Sequence, residues 1–258
     1  MSYKMLKERF GTQAFANKER TIPVALDKAY ADMSRRQNGH GPELKNVCID
    51  MLVEVFSDPA QIAGQDYDTW HRKLSEELIQ RWNSVEKGFG TIGKAQKVIN
   101  MAWKYLSCIS TDYDEVLPFC HMTLDSYTLD WYEEVVKPWA KAQDRQVGRK
   151  VSAWSKIESY DEYLLIQHNI RDYLASGAHY SIFIDTQQTQ KILLSSLPAE
   201  AEFIIWEGQI IDRKYNDLIK LLENYAGKNK KLESGATYDN WLLGPLFLDY
   251  LRGYLNNF

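Results

Sequence analysis

The chain has 258 residues, of which 45% are hydrophobic and 26% are charged, a composition typical of a globular protein with a sizeable core. The formal net charge of −4 excludes a uniformly basic protein of the kind that coats nucleic acid, although it allows a local basic face. Three scattered cysteines exclude a disulfide framework and, within one chain, a four-cysteine iron–sulfur cluster.

Targeting signals are not recognisable in this sequence. It contains no apolar run of the length needed to cross a bilayer, and residues 1–20 are polar and charged rather than built like a signal peptide. We therefore predict a soluble, intracellular, cytoplasmic protein without a membrane partner, and the oligomeric state stays open.

Apolar residues recur at three- or four-residue spacing through most of the chain, which predicts amphipathic helices. In chain order, these predicted helices cover residues 44–56, 70–85, 94–106, 129–139, 160–174 and 215–225. Two stretches favour β-structure: residues 180–185 predict a strand, and residues 202–211 predict a strand or a small hairpin. The fold is therefore predicted to be mainly α, with a small strand-containing element in the C-terminal half.

A polar, basic stretch at residues 143–151 is the best candidate for a linker. We predict a helical region over residues 1–142 and a mainly helical region over residues 143–258 that packs on it. One continuous domain remains an alternative.

A glycine-rich turn leads into the helix that begins near Lys94. Glycines at 88, 90 and 93 permit close approach of a ligand, and exposed amides at a helix start favour a phosphate. Gly88, Gly90 and Gly93 are therefore predicted to contact the DNA backbone. Lys94 is the predicted nucleophile. Since an amine nucleophile needs a lowered pKa, Lys97, one turn further on, is predicted to supply a neighbouring positive charge.

A carboxylate opens a later helix in the stretch His121-Met-Thr-Leu-Asp125. Asp125 at that position can cap the helix, and it can also stabilise the cationic sugar that forms when a base leaves. Lys94 and Asp125 are therefore the predicted catalytic pair.

This arrangement resembles the helix–hairpin–helix DNA glycosylases that have a glycine- and proline-rich loop and a trailing aspartate. Within that superfamily it is most similar to the lysine-bearing archaeal 8-oxoguanine DNA glycosylase type, over about residues 82–139. The proline of the family's usual hairpin is missing. The resemblance implies Schiff-base formation at the sugar C1′ by Lys94, with Asp125 as the aspartate, followed by strand cleavage through β-elimination.

The predicted function is accordingly a DNA glycosylase with AP lyase activity. It would excise an oxidised purine such as 8-oxoguanine, or another modified base, including one found in viral DNA. The predicted partner is double-stranded DNA with a modified base, and no cofactor or metal is implied. Trp103 lies off the main apolar stripe and is predicted to line the pocket of a flipped base, with His121 as a polar contact to base or phosphate. Packing inside the core is the alternative for both.

Two other functions remain open. One is a non-catalytic helical protein that binds nucleic acid or another protein. The other is a nucleotide hydrolase, because Gly88-x-x-x-x-Gly93-Lys94 satisfies most of the phosphate-loop pattern. Ala95 stands where that pattern needs a hydroxyl for Mg²⁺, and the preceding segment has helical periodicity, so the hydrolase ranks third.

Overall fold

The computed structural model describes residues 3–34, 41–63, 65–185 and 188–206. The described residues belong to one compact unit, residues 1–210, and residues 211–258 lie outside the described residues. The predicted helix at 215–225 and the last part of the predicted strand, 207–211, therefore lie outside the described residues. The segment 143–206 belongs to the same unit as the residues before it.

Helices build most of this unit, which confirms the prediction of a mainly α fold. In chain order they are α1 (Tyr3–Ala14), α2 (Ile22–Ser34), α3 (Pro42–Phe56), α4 (Pro59–Ala63), α5 (Tyr67–Val85), α6 (Ile92–Leu106), α7 (Ser126–Trp131), α8 (Lys137–Ala142) and α9 (Tyr160–Ala175). Residues 198–206 are also helical. Within the described residues, every helix is too short or too polar to cross a membrane.

The helix predicted at 129–139 is wound in three parts. Between α7 and α8, residues Tyr132–Val136 form a π-helical turn, in which the amide of Lys137 donates to the carbonyl of Tyr132. Pro138 lies in the first turn of α8 and has no N–H to give to the carbonyl four residues earlier. The wider turn accommodates this missing hydrogen bond.

A two-stranded antiparallel hairpin follows α9. Strand β1 (Tyr180–Asp185) pairs with β2 (Gln188–Leu193), so that Asp185 is opposite Gln188. The strand predicted at 180–185 is confirmed. The strand predicted at 202–211 is wrong over 202–206, where the chain is helical, because the short apolar run 203–206 does not distinguish a strand from a buried helix.

Helix α6 is the central helix of the unit, packed against α2, α5 and α9. Every residue of α6 except Lys94 is buried. The core around it includes two fully buried tryptophans, Trp82 and Trp103, and the indole N–H of Trp82 donates to the carbonyl of Leu44 at 3.0 Å. Helix α6 therefore carries both core residues and, at its N-terminal end, the lysines of the predicted site.

Candidate functional site

The segment 120–125 leads to Asp125 and is fixed by two buried glutamine side chains. The amide group of Gln167 exchanges two hydrogen bonds with the backbone of Met122, at 3.0 and 2.8 Å. The amide group of Gln96 does the same with the backbone of Leu124, at 3.1 and 2.8 Å. These side chains replace the backbone partners that a neighbouring strand would supply, and so they satisfy buried polar groups and fix the path of the segment.

A buried ion pair holds the middle of the same segment. Glu202 accepts a hydrogen bond from the amide of Thr123 at 2.9 Å and pairs with Lys104 at 2.8 Å. The side chains of Lys104 and Glu202 are only 4% and 5% exposed. Glu202 lies on the helical residues 198–206, and that helix therefore supports the approach to Asp125.

Asp125 caps the N-terminus of α7. Its Oδ1 atom accepts hydrogen bonds from the amides of Tyr127 and Thr128 at 2.8 and 3.2 Å. The hydroxyl of Thr128 accepts in return from the amide of Asp125 at 2.9 Å, which completes a capping box. The cap fixes the carboxylate and leaves the Oδ2 atom directed towards α6.

Lys97 is the lysine that meets this oxygen. Its Nζ atom lies 3.9 Å from Oδ2 of Asp125, and the two side chains are 11% and 12% exposed. The indole ring of Trp154 covers the same ammonium group, with its centroid 4.4 Å from Nζ. Lys97, predicted as the neighbouring cation, is therefore the amine that is paired with the predicted carboxylate.

Lys94 ends on the loop that precedes α6. Its Nζ atom donates to the carbonyl of Phe89 at 2.7 Å and lies 3.9 Å from the centroid of the Phe89 ring. Burial lowers the pKa of Lys94, and the nearby charge of Glu86 opposes that shift. The pKa shift is in the direction that a nucleophile requires, but the amine is directed towards Phe89.

The amides of the glycine-rich turn have partners within the protein. The amide of Gly90 donates to the side chain of Asn83 at 2.8 Å, and that of Gly93 donates to the carbonyl of Ile157 at 2.9 Å. The expectation of exposed amides at Gly90 and Gly93 is therefore corrected. Gly88, with a φ of +81°, adopts a left-handed conformation that favours glycine, and its DNA contact stays a prediction.

Trp103 is a core residue, contrary to the prediction that it lines a base pocket. It is 1% exposed, and its ring packs edge-on against Phe56 at 4.8 Å and Tyr113 at 5.9 Å between centroids. The position off the main apolar stripe did not expose the ring, because α6 is surrounded by packed elements on nearly all sides.

His121 is also buried, and both of its ring nitrogens have protein partners, which corrects its predicted contact with base or phosphate. Nε2 lies 2.7 Å from Asp68 Oδ1, and Nδ1 lies 2.7 Å from the hydroxyl of Tyr163. Because a carboxylate only accepts, Nε2 carries the proton and Nδ1 accepts from Tyr163. Burial lowers the pKa of His121 to about 4, so the ring is neutral at pH 7.

Asp68 joins this buried network to the surface. Burial alone would raise its pKa, but hydrogen bonds from His121 and Arg171 hold that pKa far below its usual value. Arg171 binds both carboxylate oxygens, at 3.0 and 2.7 Å, and the half-exposed His168 lies 3.2 Å from Oδ2. The Asp68 carboxylate is therefore part of an internal hydrogen-bond network that links α5 to α9.

Several residues that shape the site were missed by the sequence-based prediction. Gln167 occupies a position of the apolar series on α9, and a polar residue at such a position was the available signal for a buried hydrogen-bonding role. Trp154, a single aromatic residue just after the predicted linker, carried a weaker signal. Nothing in the sequence pattern around Asp68 or Gln96 indicated that these residues shape the site.

The structure contains an open groove of about 510 Å³ on another face, lined by residues of α3, α4 and α5. None of the predicted site residues lines that groove. In the described part of the chain, no group of three His, Cys, Asp or Glu residues is arranged to hold a metal ion. The candidate site is therefore the amine–carboxylate pair of Lys97 and Asp125 with its indole cover.

By its fold and site, this is a mainly helical protein with a shielded lysine–aspartate pair near the N-terminal end of its central helix, α6. Comparison with protein-family models, with curated proteins and with solved structures finds no match to this chain.

Proposed function

We propose that the protein is a DNA glycosylase with AP lyase activity, in which Asp125 stabilises the cationic sugar and a lysine of α6 attacks it. Lys97 is the proposed nucleophile, with Lys94 as the second candidate. The glycine-rich turn before α6 and the aspartate at the start of α7 support a glycosylase, since they are features on which the resemblance to the helix–hairpin–helix glycosylases rests. That resemblance gives the role of the nucleophile to Lys94, and the choice of Lys97 rests on its distance from Asp125.

The observation that carries the proposal is the distance of 3.9 Å between Nζ of Lys97 and Oδ2 of Asp125. An amine and a carboxylate held this close can act on the same sugar carbon, the amine as nucleophile and the carboxylate as a counter-charge. The capping hydrogen bonds occupy Oδ1 and leave Oδ2 for this role. Before Lys97 reacts, Asp125 can accept the ammonium proton and pass it to the departing base, which restores the carboxylate as the counter-charge to the sugar.

The proposed reaction begins when the lone pair of Nζ forms a bond to C1′ of the flipped nucleotide. The electron pair of the C1′–base bond leaves with the base, which takes up a proton. The C1′–O4′ bond then opens, its electron pair and a proton go to O4′, and a C1′=Nζ imine remains. Water takes a C2′ proton, the electron pair of that C–H bond forms a C2′=C3′ double bond, and the C3′–O bond breaks so that the 3′-phosphate leaves with its electron pair. Water then hydrolyses the imine and returns the lysine.

Borohydride trapping tests this proposal, because it reduces the imine to a stable secondary amine. The protein is incubated with borohydride and duplexes that carry oxidised, alkylated, deaminated, hydroxymethylated or abasic sites. We expect a covalent adduct that is lost in Lys97→Arg, which keeps the positive charge, and retained in Lys94→Arg, the matched control.

The other outcomes discriminate among the remaining functions. Loss of the adduct in Lys94→Arg alone would assign the nucleophile to Lys94. Base release without an adduct, abolished by Asp125→Asn, would indicate a glycosylase without lyase activity. No adduct and no base release on any duplex would reject the enzyme and favour the non-catalytic binding protein. The nucleotide hydrolase is disfavoured, because the segment before the glycine-rich turn is the helix α5 rather than a strand.

A further inference from the structure

Residues 153–157, here called the strap, cross the N-terminal end of α6. The hydroxyl of Thr91 donates to the carbonyl of Ser155 at 2.9 Å, and the amide of Gly93 donates to the carbonyl of Ile157 at 2.9 Å. The strap lies so close to Gly93 that a Cβ atom on this residue would be 1.8 Å from the carbonyl oxygen of Trp154. Only glycine permits this contact.

The strap places the indole of Trp154 over the ammonium group of Lys97, one member of the proposed reactive pair. The ring centroid lies 4.4 Å from Nζ of Lys97, on an ammonium that is 3.9 Å from Asp125. A lysine nucleophile has to approach the sugar C1′ to within about 3–3.5 Å. The ring of Trp154 occupies space beside Nζ that the sugar would need, and the side chains of Lys97 and Asp125 are only 11% and 12% exposed.

We propose that the strap is a gate over the Lys97–Asp125 pair, closed in this structure and opened when the substrate binds. This proposal rests on the proposed function for the identity of the substrate, a flipped nucleotide. Opening moves the Trp154 ring away from Nζ and breaks the two hydrogen bonds to Thr91 and Gly93. It also returns the Gly93 amide and the Thr91 hydroxyl to solvent, at the turn for which the sequence predicts a phosphate contact.

Selective acylation of lysines tests the gate without DNA. The protein is treated with N-hydroxysuccinimidyl acetate, and the rates at Lys97, at the exposed Lys87 and at the buried Lys104 are measured by peptide mass spectrometry. Two variants open the gate: Gly93→Ala, whose Cβ displaces the strap, and Trp154→Ala, which removes the ring. We expect either to raise the rate at Lys97, relative to Lys87, by about tenfold, equivalent to about 1.4 kcal/mol.

Gly148→Ala is the matched control, because a Cβ there would make only an ordinary contact, 3.8 Å from a side-chain carbon of Glu162. Its Lys97 rate should equal that of the original protein. A slow rate at Lys104 in every variant shows that the protein remains folded. A Lys97 rate unchanged in both opening variants would overturn the gate.

The experiments can reject the proposed gate and the proposed glycosylase activity independently of each other. A faster Lys97 in the opening variants supports the gate even if no duplex yields an adduct, in which case only the proposed reaction is rejected. If the original protein forms an adduct but the Lys97 acylation rate does not respond to Gly93→Ala or Trp154→Ala, the reaction stands and the gate is rejected.

Discussion

Lys97 approaches Asp125 across the space between α6 and α7, with 3.9 Å between Nζ and Oδ2, whereas Lys94, one turn earlier, ends on the carbonyl of Phe89. Residues three positions apart on a helix lie on neighbouring parts of its surface, so sequence spacing alone did not distinguish the two lysines. The difference decides which amine is proposed to react.

Substitutions of Asp125 separate its capping role from its proposed chemical role. Asparagine is as good an N-cap as aspartate, so Asp125→Asn keeps the cap and loses only the ion pair with Lys97, which should cost about 1 kcal/mol. Asp125→Ala loses the cap as well and should cost about 1–2 kcal/mol more. Urea denaturation measures both. An equal loss of stability in the two variants would mean that the carboxylate charge, rather than the cap, stabilises α7.

Gln96 should be essential for stability although it is polar. Gln96→Ala leaves the amide and carbonyl of Leu124 without their buried partners, and each unsatisfied group costs about 1–3 kcal/mol. We expect a loss of about 2–4 kcal/mol in urea denaturation. Gln61→Ala, at an exposed glutamine bonded to Asp58, is the control and should cost less than about 0.5 kcal/mol. Similar losses in the two variants would contradict the bridging role.

The buried pair of Lys104 and Glu202 should respond strongly to the loss of one charge. Glu202→Gln leaves the ammonium of Lys104 uncompensated in the interior and should cost about 3–5 kcal/mol. Glu77→Gln, in an exposed pair with Arg81, should cost less than about 1 kcal/mol. Thermal or urea unfolding compares the two, and a small effect of Glu202→Gln would show that Lys104 is hydrated.

Acid should destabilise the protein through its buried histidines. Burial lowers the pKa of His71 and His121 below the ordinary value of 6.5, to about 4 for His121. Between these values the unfolded chain binds protons that the folded chain excludes, so the free energy of unfolding falls as pH drops. For His121 alone the loss approaches about 3 kcal/mol at pH 4.

Urea denaturation at several pH values between about 7.5 and about 4.5 measures this slope. His121→Gln should make the slope shallower, because glutamine does not titrate, while His71 still contributes. The control is His168→Gln, at a half-exposed histidine next to the same carboxylate, and it should keep the slope. An unchanged slope in His121→Gln would assign the acid sensitivity to other groups.

The sequence by itself determined several of the helices, although it did not predict α1, α2 or α4. The apolar spacing that predicted residues 44–56, 70–85, 94–106 and 160–174 corresponds to α3, α5, α6 and α9, because one apolar face of each helix is buried in the core. The helix predicted at 129–139 is only partly confirmed, because a π-helical turn before Pro138 separates α7 from α8. A capping residue is also a local property, and Asp125 does cap α7.

The tertiary structure alone decided the environment of each site residue. Trp103 and His121 are buried because other elements pack against them, and the amide of Gly93 is occupied because the distant strap lies across it. The chain at 202–206 is helical rather than extended for the same reason, since a short apolar run takes the form that its neighbours bury best. Local spacing determines which residues form a helix, whereas contacts between residues far apart in sequence determine which side chains remain available for chemistry.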